Sequence, residues 1–303
     1  MSVAQIEAID VSRDAPPQGL WSDAFARLRR NPGAIAGTII VTLLVLMALF
    51  APLIAPQEPN EQDLAALGGV CCPGPSSAHP FGLDELGRDE LSRIIWGARY
   101  SLLIGVVSVV VGLTFGTVLG SIAGYLGGRI DALIMRLMDI MLAIPGFLLA
   151  IGIVALLGQG IWQIMVAIGV ANVPIFARLL RGSILAQREN DFVLAARSVG
   201  VPRRQILTAH ILPNAISPVI VQATLALATA IIDVAGLGFL GLGPPDPSTP
   251  EWGAMLTNTV RYLQTAPHLA LIPGAAITIS VLAFNLIGDG LREALDPKLR
   301  GRT

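Results

Sequence analysis

Six long, nearly charge-free stretches alternate along the chain with segments that carry charged side chains. A helix needs about 20 apolar residues to cross a hydrocarbon core of about 30 Å, and each stretch is long enough to do so. The uncharged run from Ile140 to Ala177 is too long for one helix, and Gly158-Gln159-Gly160 divides it between two. The pattern therefore predicts an all-α membrane protein with six transmembrane helices, at residues 33–54, 100–128, 134–157, 162–180, 216–237 and 269–287.

Lysine and arginine are distributed unevenly between the two sides that six spans create. With the N-terminus inside, 16 of the 20 basic residues fall on the inner side, and Arg88, Arg93, Arg99 and Arg261 fall on the outer side. Basic residues near span ends favour the cytoplasmic side. We therefore expect both termini in the cytoplasm, with residues 1–32 as an N-terminal segment, 33–288 as the membrane domain and 289–303 as a tail.

Three connecting segments are long enough to have structure of their own. They are the outer loops at 56–99 and 238–268 and an inner loop at 181–215. In the first outer loop the stretch from Leu86 to Trp96 is amphipathic, and we expect it to lie along the membrane surface before the second span.

Composition supports the membrane assignment and limits the chemistry of the chain. Of 303 residues, 53% are hydrophobic and 14% charged, which is too few charges to cover a soluble protein of this size. The single lysine, Lys298, precedes leucine, so no phosphate loop ending in Gly-Lys-Ser/Thr is present. The three histidines are far apart, and the net charge of −1 argues against a nucleic-acid partner. We predict a non-enzyme with no catalytic residue, metal or cofactor.

The only cysteines are the neighbours Cys71 and Cys72. Adjacent cysteines cannot form a spaced set of metal ligands. They fall in an outer loop, where oxidation can occur, and the sequence leaves their redox state open.

Glycine recurs at every fourth position of the second span, at Gly112, Gly116, Gly120, Gly124 and Gly128. With 3.6 residues per turn, these positions form a stripe without side chains along one helix face. Such stripes allow helices to approach closely. The stripe is typical of packing within one chain, although a subunit interface or a sliding surface would use the same pattern.

Few polar side chains lie within the predicted spans. Asp233 should face a cavity or a donor, because a charge at a helix centre costs roughly 2.5–3.5 kcal/mol. It either lines a substrate path or makes a structural hydrogen bond, and Asn285 in the sixth span is a second candidate for the path. Asp139 follows Arg136 by three residues, which predicts a local ion pair.

The inner loop has the pattern of a helix, a turn and a second helix. Residues 189–199 are helical in pattern, with Phe192, Ala195, Ala196 and Val199 on one predicted face. Gly200 supplies a helix C-cap, and the next helix begins after it. The second arm carries charged and polar side chains before it re-enters the membrane, namely Arg203, Arg204 and His210, followed by Leu212-Pro213. A hairpin of this kind needs a partner that covers its small-residue face.

These residues resemble the cytoplasmic loop of bacterial ABC importer permeases, which has an E-A-A motif, then glycine, then Leu-Pro after eleven residues. The chain has Leu194-Ala195-Ala196, Gly200 and Leu212-Pro213, with leucine at the glutamate position. Further stretches are similar to the C-type permease subunit of dipeptide and oligopeptide importers, a family in which nickel permeases also fall. They are Gly82–Asp89 (G-L-D-E-L-G-R-D), Phe239–Gly243, Pro250–Leu256, Ala283–Leu286, Gly288–Arg292 and Asp296–Leu299.

The resemblance implies the type I importer permease fold in the bacterial cytoplasmic membrane. It implies a second homologous permease, two ATPase subunits that bind ATP and Mg²⁺, and an extracytoplasmic solute-binding protein, with lipid around the membrane domain. The inner loop would couple ATPase movement to the permease through Ala195, Ala196, Gly200, Arg203, Arg204, Leu212 and Pro213. The expected solutes are dipeptides or oligopeptides, with nickel or glutathione as alternatives.

Two other classes compete with this interpretation. A stand-alone secondary transporter or channel would place ionisable residues in several spans, whereas only Asp233 lies deep in a span here. A scaffold protein of the membrane would need no gated cavity. Neither class explains why the chain has the inner hairpin.

Overall fold

The described part of the chain, residues 20–67, 71–257 and 259–295 of a computed structural model, folds almost entirely as helices. The ends of the predicted terminal segments, at 1–19 and 296–303, lie outside the described residues. The α-helices are α1 Leu20–Leu28, α2 Pro32–Leu49, α3 Ala51–Ile54, α4 Leu64–Leu67, α5 Glu90–Leu126, α6 Gly128–Leu142, α7 Gly146–Leu157, α8 Ile161–Arg188, α9 Asp191–Ser198, α10 Arg203–Gln205, α11 Leu212–Ala215, α12 Ser217–Leu237, α13 Trp252–Leu256 and α14 His268–Leu295. Two π-helical turns, Ile206–Ile211 and Gly238–Leu242, and one 3₁₀ turn, Thr259–Tyr262, complete them.

Five helices among the described residues are long and apolar enough to cross a membrane: α2, α5, α8, α12 with its π-helical extension, and α14. Helices α6 and α7 reach that length only together, and they bend by 90° at the break between them. The predicted span at 134–157 is therefore not one continuous helix but this bent pair. Pro145 lacks an N–H and disfavours helical backbone at Ile144, so the helix ends at Leu142 and restarts at Gly146.

Helix α5 is continuous over 37 residues, which corresponds to about 55 Å at 1.5 Å per residue. The expectation that Leu86–Trp96 lies along the membrane surface is wrong from Glu90 onward, because that part is the first two turns of α5. Asp89 starts the helix by accepting a hydrogen bond from the N–H of Ser92 at 2.8 Å. Helix α5 therefore extends beyond the bilayer at one end at least.

Helices α5 and α8 pack against each other along the glycine stripe. A methyl group added at Gly116 would lie 2.5 Å from Cβ of Phe176, and one added at Gly120 would lie 2.5 Å from the carbonyl oxygen of Ala177. Gly112 and Gly124 meet α8 in the same way. These glycines thus bring the two helix backbones into close contact within this chain.

Gly128 does not belong to that contact. A methyl group there would meet no atom within 4 Å, and Gly128 opens α6 with a φ of +58°. The inclusion of Gly128 in the stripe is therefore wrong, because Gly127, with a φ of +68°, has already ended α5.

The interior holds two main apolar clusters. The larger joins α5, α7, α8, α9 and α12, and Phe176 and Ile184 lie fully buried in it. The smaller joins α2, α5, α12, α13 and α14 around Trp252. Only 22% of the apolar windows of α2 and α14 is buried, so both helices present apolar surface to their surroundings.

Candidate functional site

The inner hairpin, residues 189–213, has a defined turn at its tip. Two residues after the end of α9, Gly200 has left-handed backbone with a φ of +80°. The N–H of Gly200 donates to the carbonyl of Arg197 at 3.0 Å, and the N–H of Val201 donates to that of Ala196 at 3.1 Å. This pair of bonds is a Schellman motif, which favours glycine at the left-handed position.

One face of the hairpin is anchored on the membrane domain. Val193 and Ala196 of α9 are buried, as are Ile206 and Ile211 of the second arm, and all four join the cluster that contains Ile184 of α8. The hairpin therefore moves with α8 unless this apolar contact breaks.

The opposite face of α9 is open. Phe192 is 41% exposed and Val199 80%, and Ala195 is also exposed. The prediction that Ala196 shares a face with these three residues is wrong, since Ala196 is buried beside Val193. Exposed apolar and small residues next to a rigid anchor are suited to contact with another protein.

The second arm adds charge to the open side. Arg203, Arg204 and Pro213 are exposed, and Leu212 is half-buried. The N–H of Leu212 bonds to the carbonyl of Leu207, five residues back, in the π-helical turn that precedes the proline.

The hairpin is also tied to the inner end of α5. The hydroxyl of Tyr125 donates to the carbonyl of Arg203 at 2.5 Å. The guanidinium of Arg188 donates to the carbonyls of Gly124 at 3.0 Å and Tyr125 at 3.3 Å, which the helix end leaves without partners. No sequence pattern marks Tyr125 and Arg188, because their partners are backbone carbonyls.

Two ion pairs connect α6 to α8. Arg178 donates to Asp139 at 2.5 Å, and Arg181 donates to Asp131 through two guanidinium nitrogens. The predicted local pair of Asp139 with Arg136 is therefore wrong. The partner from α8 is 39 residues away in the chain.

Asp233 and Asn285 lie on different helices, α12 and α14, and both are half-buried. Neither side chain makes a hydrogen bond within the described residues. Their role in a translocation path stays a prediction.

At the outer end of α5, a dense ionic group holds three segments together. Asp84 accepts from Nε of Arg88 at 2.6 Å and lies 3.6 Å from Nε of Arg93. Arg88 also donates to the carbonyl of Pro247 at 3.0 Å, and Arg93 to that of Pro59 at 3.1 Å. Asp84 and both arginines are buried. We call these three residues the outer knot.

A second polar group lies beside the outer knot. His79 is buried, with Nδ1 3.0 Å from Asp89 and Nε2 3.4 Å from Asp63. The N–H of Ala66 and the contact with His79 lower the pKa of the Asp63 carboxyl. These contacts hold the segment before α5 against the helix start.

Glu251 and Trp252 fix the second outer loop on α5. The carboxylate of Glu251 accepts from Ser101 at 3.0 Å and from the N–H groups of Gly253 and Ala254 at 2.8 Å each. Burial raises the pKa of Glu251, and these three donors oppose that shift. The indole of Trp252 is fully buried.

An outer cavity of about 370 Å³ lies between these elements. Its walls come from the end of the first outer loop, the start of α5, the second outer loop and the start of α14. They include Glu85, Glu90, Asp246, Met255, Arg261 and Tyr262.

The fold defines an all-helical, multi-pass membrane protein with an anchored hairpin between two of its long helices. Residues 116–301 match the family described as binding-protein-dependent transport system inner membrane components. Residues 19–68 match the N-terminal transmembrane domain of oligopeptide transport permease C. The chain belongs to this family of ABC importer permeases.

Similar proteins include the dipeptide transport system permease protein DppC of Alkalihalophilus pseudofirmus, 49% identical over 92% of this chain and 90% of that protein. The di/tripeptide permease DppC of Pseudomonas aeruginosa is 48% identical over 94% of this chain and 93% of that protein. The glutathione permease GsiD of Shigella flexneri is 49% identical over 93% of this chain and 91% of that protein.

A solved structure of the methionine ABC transporter MetNI in inward-facing conformations contains a similar chain. The match has a TM-score of 0.56 and 19% identity, and it covers 67% of this chain and 96% of the other. This likeness shows the ABC importer permease fold.

The chain is thus a non-catalytic permease subunit of an ABC importer in the inner membrane. Permeases of this family bind no cofactor themselves. A subunit of this kind works with ATPase, partner-permease and binding-protein components.

Proposed function

We propose that the chain forms half of the path through which an ATP-driven importer moves dipeptides and oligopeptides. The observation that carries the proposal is the inner hairpin, whose inner face is anchored on α8 and whose outer face is open. The chain has no phosphate loop, so its energy comes from a partner.

The hairpin docks on an ATPase through Ala195, with Phe192 and Val199 beside it. Gly200 holds the turn, Ala196 anchors it, and Arg203 and Arg204 add positive charge at the same surface. When the ATPases close, the hairpin transmits the movement to α8 through the buried contacts and to α5 through Tyr125. Such coupling is a rigid-body movement of packed elements.

The complete assembly contains a second, homologous permease, two ATPase subunits and an extracytoplasmic binding protein. The apolar surface that α2 and α14 leave open supports contact with lipid or with the second permease. The orientation with both termini in the cytoplasm places the hairpin on the ATPase side.

The names of three similar proteins support short peptides as the solute, since they refer to dipeptides, di/tripeptides and glutathione. Glutathione is the second candidate, because the permease that carries its name is as similar to this chain as the dipeptide permeases are. Both solutes contain free ammonium and carboxylate groups.

Uptake by the complete importer in proteoliposomes tests the proposal. We expect ATP-dependent accumulation of a labelled dipeptide that requires the ATPases, the second permease and the binding protein. Competition with glutathione distinguishes the two solutes. Peptide flux through the chain alone in ATP-free liposomes would contradict the proposal and favour a secondary transporter.

A further inference from the structure

The outer cavity contains a carboxylate that no described residue pairs with. Glu90 is the first residue of α5, it is 2% exposed, and it lines the cavity. Its N–H donates to the carbonyl of Gly82 at 3.1 Å, whereas its carboxylate makes no ion pair or hydrogen bond within the described residues. Because Glu90 lines the cavity and no described side chain pairs with its carboxylate, a ligand in the cavity can reach it.

The two guanidiniums nearest to Glu90 are already engaged. Asp84, Glu85, Arg88 and Arg93 are the charged side chains around it. Both guanidiniums contact Asp84, and each also donates to a backbone carbonyl, that of Pro247 for Arg88 and that of Pro59 for Arg93. Glu90 therefore remains available to a cation that enters the cavity.

The rest of the cavity offers a complementary charge and an apolar wall. Glu85 and Asp246 are further acidic residues of its lining. Arg261 lines it as well and has no ion pair within the described residues, and Met255 and Tyr262 add apolar surface. The volume of about 370 Å³ lies in the range of sites for small molecules. A short peptide zwitterion has an ammonium at one end and a carboxylate at the other, which matches this arrangement.

We propose that the outer cavity binds a short zwitterionic peptide, with Glu90 contacting its terminal ammonium and Arg261 its terminal carboxylate. The inference rests on the proposed function, because it takes a peptide as the transported solute. A metal ion fits less well, since the described residues contain no group of three or more His, Cys, Asp or Glu able to hold one. A lysine side chain of a partner would match Glu90 and leave Arg261 without a counter-ion.

Equilibrium binding of alanyl-alanine to the complete importer in nanodiscs, without the binding protein, tests the role of Glu90. Wild type should bind the free peptide about tenfold more tightly than its N-acetyl form, because a charge-assisted hydrogen bond is lost on acetylation. Glu90→Gln should remove this preference. Glu58→Gln, which changes an exposed outer carboxylate, should keep it. Equal preference in Glu90→Gln and wild type would overturn the proposal.

Arg261→Gln provides a second arm that does not depend on a buried position, since Arg261 is exposed. Wild type should prefer the free peptide over its C-terminal amide about tenfold. Arg261→Gln should lose this preference and keep the preference for a free ammonium. Retention of both preferences would overturn the assignment.

Uptake of alanyl-alanine by the same importer with its binding protein separates the two proposals. If wild type accumulates no peptide, the proposed function fails. If it accumulates the peptide and the nanodisc assay shows no preference for the free ammonium, only the cavity assignment fails.

Discussion

The two ends of α5 are built from different interactions. The outer end is held by buried ion pairs among Asp84, Arg88 and Arg93, which find their partners within the chain. The inner end is capped by Arg188, and Tyr125 joins it to a hairpin with an open face. The outer end is therefore held by contacts within the chain, whereas the hairpin at the inner end keeps an exposed face, which we propose another subunit covers.

The largest expected effect comes from breaking the outer knot. Asp84→Ala leaves two buried guanidiniums without a carboxylate, which should cost about 3–5 kcal/mol of folding free energy. We expect little folded protein in membranes and early thermal unfolding in detergent. Glu58→Ala, at an exposed outer position, is the control and should unfold like wild type. If Asp84→Ala unfolds at the same temperature as this control, the ion pairs of the outer knot do not stabilise the outer end.

The second largest effect is expected at the glycine stripe, where α5 packs against α8 between its two ends. Gly120→Ala places a methyl group 2.5 Å from the carbonyl oxygen of Ala177 and should cost about 1–3 kcal/mol through overpacking. Gly152→Ala, in α7, meets no atom within 4 Å and should be neutral or stabilising. Thermal unfolding of both variants in one detergent gives the comparison. Equal stabilities would mean that α5 and α8 can separate at little cost.

At the inner end, Gly200→Pro should lower uptake about tenfold while the protein still inserts and ATP hydrolysis continues. Proline cannot adopt the φ of +80° that the turn requires, so the tip of the hairpin is displaced. Uptake and ATPase rates measured on the same proteoliposomes test this prediction. Unchanged uptake per ATP would exclude the turn from coupling.

Tyr125→Phe should have the smallest effect. It removes one hydrogen bond to the carbonyl of Arg203, worth about 1 kcal/mol, and leaves the ring in place. We expect wild-type levels of protein and a modest fall in peptide transported per ATP. A loss as large as that of Gly200→Pro would make this single bond, rather than the buried contacts, the main link.

The sequence predicted the spans well because hydrophobic length is a direct property of the residues. Its prolines do not single out the 90° bend at Pro145, because Pro174 and Pro273 lie within the continuous helices α8 and α14. It located the hairpin from spacing, yet placed Ala196 on the open face. Helical periodicity gives angular positions but not which apolar side is covered.

Long-range polar contacts were the least predictable part. The partner of Asp139 is Arg178, although Arg136 has a suitable helical spacing. The cavity around Glu90 is formed by residues that lie far apart in the chain, so no local pattern indicates it.

Docking of the inner hairpin on an ATPase is the central claim, and co-purification of the assembled importer tests it most directly. Ala195→Glu adds a charge to the open face of α9 without touching the buried side. Ala65→Glu makes the same change on an exposed outer helix and is the matched control. We predict that Ala195→Glu loses about tenfold or more of the bound ATPase subunits and the uptake that depends on them, whereas the control keeps both. Full retention of ATPase subunits and uptake by Ala195→Glu would contradict the account.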